Sequence, residues 1–256
     1  MTEKMNKTTF VAFSTQKGGA GKTTLTVLMA SYLQYVRGID VAIIDCDFPQ
    51  YSIDEMRKRD FKNMEENEEL RRQAYEQLSR TKKKAYPVLV SRPEKAIAKA
   101  NELQNLANPP KIVFFDLPGT MNNEGVVKTI ANMDYIFCPI IADRVVMQSS
   151  LAFAKVVNDH FITTGQSSIK GMYFLWNMVD GREKTNLYEV YEQVIGELGL
   201  SVLNTYIPDS KRFRREGAKD DKRPLFRSTV LPPDKTLIKG SNIRELADEI
   251  LDIIKI

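Results

Sequence analysis

Lys17-Gly18-Gly19-Ala20-Gly21-Lys22-Thr23-Thr24 lies between an apolar run, Thr8 to Phe13, and a helical pattern that begins near Thr24. A glycine-rich turn between a buried strand and a helix is the context in which such a stretch binds phosphate. Gly18, Gly19 and Gly21 let backbone N–H groups turn inward, Ala20 and Thr24 complete the cradle, and the helix N-terminus adds the positive end of its dipole. Lys22 supplies a point charge and Thr23 a hydroxyl for Mg²⁺, so a nucleoside triphosphate is the ligand these residue types call for.

The spacing departs from the plain GxxxxGK[ST] pattern, because Gln16 stands five residues before Gly21. A second lysine, Lys17, enters the same turn, and two cations so close repel unless each meets an anion. Gln16 to Thr24 resembles the deviant Walker A loop of the ParA/MinD ATPases, with a leading glutamine closer to the ParA branch. Within that family the chain looks similar to short ParA-like proteins of conjugative or other mobile elements. The resemblance implies ATP and Mg²⁺ as cofactors and an ATP sandwich dimer in which Lys17 of one subunit reaches the phosphates of the other. The plain alternative is a solvated loop lysine beside an ordinary P-loop.

Carboxylates recur where such chemistry needs them. Leu25, Leu28, Met29, Tyr32, Leu33 and Val36 follow helical spacing, and Arg37-Gly38 ends the pattern. Val41 to Ile44 then reads as a parallel strand delivering Asp45 and Asp47 to the rim that also carries the loop. Both aspartates are candidates for Mg²⁺ and for positioning water. ParA-like proteins carry Asp-x-Asp-Pro-Gln here, whereas this chain has Asp45-Cys46-Asp47-Phe48-Pro49-Gln50, one residue longer before the proline. The resemblance ties Asp47 to hydrolysis, as a catalytic residue beside Lys17 and Lys22. Ile112 to Phe115 ends in Asp116-Leu117-Pro118-Gly119, a Walker B candidate that holds Mg²⁺ through water, with Gly119 where the family usually has a second proline.

Asn177 follows the strand-like Met172 to Trp176, and the resemblance makes it a reader of the adenine base; the competing reading is a turn asparagine before Asp180-Gly181. Met178 stands where a guanine-type Asn-Lys-x-Asp pattern has lysine, which favours ATP over GTP. Val202 to Ile207 is expected to form a last strand, followed by Pro208 and Asp209, which by resemblance line the base. Directly afterwards come Lys211, Arg212, Arg214 and Arg215, and through Arg227 the segment adds Lys219, Lys222 and Arg223 against only three acids. Such a patch neutralises phosphates and binds DNA without sequence preference, unless it is simply a solvated loop.

Between Tyr51 and Pro110 glycine is absent and charge is dense. Met64 to Lys84 and Glu94 to Leu106 read as helices, with a short strand between them at Tyr86 to Val90. This region is expected to be a helical excursion at about 51–110 within one ParA-like ATPase domain spanning residues 1–256. Ile243 to Ile254 reads as a final amphipathic helix opened by a capping box of Asn242 and Glu245.

Composition sets the outer limits. With 37 basic and 33 acidic residues the net charge is +4, so any nucleic-acid contact must come from local clustering. A single histidine rules out a His-rich metal site, and Cys46 and Cys138, each in an apolar run, read as buried thiols. No run of about 18 apolar residues occurs, the first residues are polar, and the final helix is mainly acidic on its polar side, so a cytoplasmic protein without membrane attachment is expected, nucleoid-associated if it binds DNA.

Alternating strands and helices with carboxylates at strand ends specify a doubly wound α/β fold, a mostly parallel sheet with helices on both faces. The resemblance implies the SIMIBI type of P-loop NTPase: an ATP hydrolase, slow alone and stimulated by an unidentified adaptor protein, that partitions or positions DNA as a homodimer. Two alternatives stand beside it: a MinD-type ATPase that recruits a protein partner without DNA, and a ligase-like metabolic ATPase.

Overall fold

The computed structural model describes residues 8–121, 123–165, 167–182, 186–216 and 224–256. Seven strands form one sheet: β1 (Thr9–Phe13), β2 (Val41–Asp45), β3 (Val88–Val90), β4 (Ile112–Asp116), β5 (Tyr135–Ile140), β6 (Gly171–Trp176) and β7 (Ser201–Val202). Their order is β3-β2-β4-β1-β5-β6-β7, and every pairing is parallel. β1, β2 and β4 are buried along their whole length, as parallel strands covered on both faces must be.

Alternation along β1 divides the core in two. Val11 and Phe13 face a layer built from α1 (Lys22–Tyr32), α2 (Ser52–Glu66) and α8 (Ile243–Ile254). Phe10 and Ala12 face the opposite layer, built from α4 (Pro93–Gln104), α5 (Glu124–Ala131), α6 (Arg144–Val157) and α7 (Leu187–Glu197). Cys46 and Cys138 are free and buried in that second layer, and burial pushes the Cys138 thiol up to about 12.

The topology places the switch point at β1. From β1 the chain crosses to β2 and β3 on one side, returns to β4, and then passes to β5 on the other. Loops leaving the C-terminal ends of β1, β4 and β2 therefore open onto one crevice, where doubly wound sheets bind ligands. Register completes the alignment, since Asp45 at the end of β2 pairs directly with Asp116 at the end of β4.

Several elements differ from the sequence expectation, each for a local reason. The helical stretch expected from Met64 is two helices, α2 and α3 (Glu68–Thr81), broken at Asn67. That residue is extended at φ −120° and its side chain accepts from Leu70 N, so it starts a helix rather than continuing one. β3 pairs with β2, so the segment from 51 to 110 contributes an edge strand to the main sheet.

The strand expected over Val202 to Ile207 is confined to Ser201–Val202. Beyond it, the backbone N–H groups of Asn204 and Thr205 donate to the Glu249 carboxylate of α8 at 2.7 and 2.9 Å. Leu203 N still donates to Phe174 O of β6, and the chain next bonds that strand where Ile207 N donates to Trp176 O.

The capping box at α8 does not form. Asn242 is left-handed at φ 58° and its amide donates to Tyr206 O, while Ser241 Oγ accepts from Ile243 N. Among the described residues, no helix is long and apolar enough to cross a membrane.

Candidate nucleotide site

The glycine-rich loop crosses from β1 to α1 with Lys17, Gly18 and Gly19 exposed and Ala20 buried. Gly21 precedes α1 at φ 91°, and no side chain caps the helix. Its backbone is shaped for close approach: a Cβ on Gly21 would lie 2.4 Å from Asn177 Nδ2. Asn177, buried at the end of β6, donates to Ala20 O at 2.8 Å and accepts from Met178 N at 3.0 Å. One amide thus ties the loop to the far half of the sheet, keeping a second N–H and a second lone pair for a ligand.

Lys22 projects beneath the loop, where Nζ donates to Lys17 O at 3.0 Å. Burial lowers the Lys22 pKa, opposed by the charges of Asp116 and Asp47. Gly119 makes room for this lysine, because a Cβ there would stand 3.0 Å from its Nζ.

Thr23 Oγ1 donates to Asp116 Oδ2 at 2.9 Å, and Asp116 Oδ1 is buried with no hydrogen-bond partner among the described residues. Desolvation pushes Asp116 up to about 7, reinforced by Asp45 and Asp47 and opposed by the Thr23 bond and Lys22. A hydroxyl and an orphaned carboxylate oxygen beside a lysine suit a Mg²⁺–phosphate pair. Among the described residues no group of three or more His, Cys, Asp or Glu side chains could hold a metal ion. Mg²⁺ here would take its remaining ligands from water and phosphate, which is its usual preference.

Asp45 has a different immediate task. Its Oδ2 accepts from Ile53 N at 2.9 Å and Asp54 N at 3.0 Å, and its Oδ1 from Asp47 N at 3.3 Å. The carboxylate therefore holds the start of α2 and the turn that leads into it. Burial raises its pKa, and those three backbone bonds oppose the rise. Asp47 is half-buried beside it, while Phe48 is half-exposed and packs edge-on against Tyr51 and beneath the Arg92 guanidinium.

On the other side of the loop is a cavity of about 290 Å³. Gly21, Thr24, Asn177, Pro208, Arg214 and Arg227 line it, with Gly19 and Asp209 at its edge. A parallel bridge from Val179 to Pro208 brings the last two predicted base contacts to Asn177. The glycine-rich loop, Asn177, Pro208 and Asp209 thus meet at one cavity.

The basic stretch divides. Lys211, Arg214 and Arg215 are exposed. Arg212 is spent on Leu237 O and Lys239 O at 2.7 and 2.6 Å, and Arg227 bonds Thr24 Oγ1 and pairs with Glu216, so neither stands as an outward DNA contact. Lys219, Lys222 and Arg223 lie outside the described residues. Sequence reasoning missed the cavity role of Arg214 and Arg227. The one available signal was Phe213, an aromatic inside a basic run, which packs edge-on against Phe226 at 5.3 Å and anchors the turn.

A glycine-rich loop rising from the central parallel strand into a helix, with aspartates at the ends of the adjacent β4 and of β2 beyond it, defines a P-loop nucleotide-binding fold. The chain belongs to the family of CobQ/CobB/MinD/ParA nucleotide-binding domains, whose family model matches residues 11–223.

Similar solved structures carry the same fold at low identity. The chain resembles pNOB8 ParA at a TM-score of 0.61 and 14% identity, over 97% of this chain and 99% of that one. Cobyrinic acid a,c-diamide synthase of Mycobacterium smegmatis, solved with an ATP analogue and magnesium, matches at 0.61 and 18%, over 96% and 94%. The cell division ATPase MinD of Pyrococcus furiosus matches at 0.60 and 17%, over 96% and 100%. A search by sequence among curated proteins returns no match.

Proposed function

We propose that this protein is a Mg-ATP-dependent dimerising ATPase switch that binds duplex DNA without sequence preference and partitions or positions it. The observation that carries this reading is the pairing of two lysines with different situations in one loop. Lys22 is drawn under the loop toward Asp116, while Lys17 stands exposed on its crest. A cation inside the phosphate cradle serves its own nucleotide, and a cation on the crest is placed to serve a neighbour's. Family membership and the ATP-analogue complex of the cobyrinic acid synthase support the choice of ligand.

Mg²⁺, when bound, would offset phosphate charge; Thr23 would hold it through its hydroxyl, and Asp116 and Asp45 would hold its waters. Asp47 orients the attacking water, and Lys17 and Lys22 stabilise charge developing on the terminal phosphate. Asn177, Pro208 and Asp209 contact the base. Turnover is slow without an adaptor protein, and dimerisation doubles the exposed basic set, so DNA binding gains avidity with ATP and is lost on hydrolysis.

The test is oligomeric state by light scattering with Mg-ATP, with ADP and without nucleotide. We expect a dimer with Mg-ATP alone in the wild type and a monomer throughout in Lys17→Ala. A Lys17→Ala protein that dimerises and hydrolyses normally would sink the proposal.

The internal bonding of Arg212 and Arg227 favours one second reading, a MinD-type switch that recruits a protein partner and no DNA. ATP-dependent capture of a partner from nuclease-treated extract, with no retention on DNA, would select it.

A further inference from the structure

We infer that Arg227 is a nucleotide-binding residue, contacting the α-phosphate or ribose, and that Glu216 holds it in place while linking the site to α2. This rests on the nucleotide reading above and adds a ligand to it that lies in no loop or strand-end motif.

The position follows from the two ends of the site. Lys22, Thr23 and Asp116 gather beneath the loop on the metal side. Asn177 and Pro208 mark the base side of the cavity. Thr24, in the first turn of α1, lies between them, and Arg227 Nη1 donates to its hydroxyl. An arginine at that point meets the part of a nucleotide shared by the di- and triphosphate.

Arg227 reaches the cavity directly. The Arg227 side chain is about one-fifth exposed, it lines the cavity, and its Nε is buried without a partner among the described residues. Glu216 accepts from both Arg227 and Arg59, so one carboxylate is shared between two guanidiniums. Arg59 and Asp60, adjacent on α2, pair at 3.0 Å, and Asp60 in turn accepts from Thr229 N and Thr229 Oγ1 at 2.7 and 2.9 Å. Arg57 donates to Thr229 O. Among the described residues, two guanidiniums (Arg59, Arg227) share Glu216, Asp60 pairs with Arg59 and is also engaged by Thr229, and Arg214 adds an unshared charge at the cavity. An anion in the cavity meets that charge, and bidentate geometry suits arginine to phosphate or to a ribose hydroxyl pair.

The same contacts connect occupancy to the fold. α2 starts on the Asp45 carboxylate and holds the segment around Ser228 and Thr229 through Asp60. Any shift of Arg227 toward a nucleotide changes its share of Glu216 and therefore the load on Arg59.

The experiment is a titration of fluorescent ADP and ATP analogues into wild type, Arg227→Gln and Glu216→Gln, with folding checked by nucleotide-free thermal melts. Arg227→Gln is expected to weaken both nucleotides about tenfold. Glu216→Gln loosens the carboxylate that positions Arg227 and is expected to weaken both nucleotides by a smaller factor than Arg227→Gln while lowering the melting temperature. A purely structural pair predicts matched losses of thermal stability in both variants with nucleotide affinity unchanged, and that result would overturn the inference. Unchanged nucleotide affinity in Arg227→Gln with weakened DNA binding would overturn it too, returning Arg227 to the basic patch. Absence of nucleotide binding by the wild type would refute the broader reading and this inference together, whereas normal wild-type binding with an indifferent Arg227→Gln refutes only this one.

Discussion

Gly21 shows how much one residue of the loop is asked to do. Its φ of 91° is unfavourable for any L side chain, and the space beside it is already taken by Asn177 Nδ2. Gly21→Ala should cost about 1–2 kcal/mol from the backbone alone. Its methyl group must also push Asn177 off Ala20 O, so nucleotide affinity should fall together with stability. Urea denaturation and a nucleotide titration on the same variant check both; a stable Gly21→Ala protein with normal affinity would show that the loop relaxes freely.

That glycine was legible as a loop residue from the sequence, yet its reason was not. Motif spacing says that a turn binds phosphate, whereas the clash with Asn177 spans most of the chain and depends on β6 lying two places from β1. The same holds for Gly119, whose lack of a side chain makes room for Lys22.

At the scale of elements, the end of β2 and the start of α2 behave as one unit. Asp45 was read from its strand-end position as a metal-side carboxylate, and the structure shows both of its oxygens bonded to backbone N–H groups of the following turn and helix. The two roles separate by substitution. Asp45→Ala loses the cap and should cost about 1 kcal/mol, within the range for N-cap removal. Asp45→Asn keeps one accepting oxygen for the Ile53 and Asp54 N–H groups, gives up the Asp47 N–H bond, and should lose less stability than Asp45→Ala. Both should slow Mg-ATP turnover if the carboxylate also orders metal-bound water. Equal stability of the two variants in urea would remove the capping assignment, and full turnover by Asp45→Asn would remove the metal one.

Elements with clear periodicity were readable for the ordinary reason that one face is buried: α8 is an example. Where long-range hydrogen bonds compete with periodicity, reading failed. The segment after Val202 has strand-like residues, but Glu249 from α8 captures its N–H groups. Asn67 splits a continuous helical composition by capping, a choice composition alone does not reveal.

For the whole molecule, the question is what a dimer would present. Among the described residues, Lys211, Arg214 and Arg215 are the exposed members of the basic set, and Arg214 also lines the cavity beside the glycine-rich loop. A clean test of DNA contact therefore leaves Arg214 alone and uses Lys211→Glu with Arg215→Glu. With Mg-ATP, arbitrary duplex DNA should bind with strong salt dependence. The double variant should flatten the log K against log salt slope by up to about 3–4, as four phosphate contacts per dimer are lost. An unchanged slope would move the DNA surface elsewhere or favour the protein-recruiting reading.

The sequence by itself determined the glycine-rich turn between β1 and α1, the strand-end placement of Asp45, Asp116 and Asn177, and the alternation that builds a parallel sheet. Those features are written in residues close along the chain, where backbone conformation and one-sided burial leave a local pattern. Only the tertiary structure decided that Asp45 caps α2, that Glu249 ends β7, and that Arg227 turns from the basic patch to Thr24, 203 residues away in sequence. A guanidinium is equally suited to DNA phosphate, an internal carboxylate or a nucleotide, and which one it meets depends on what the fold brings within hydrogen-bond reach.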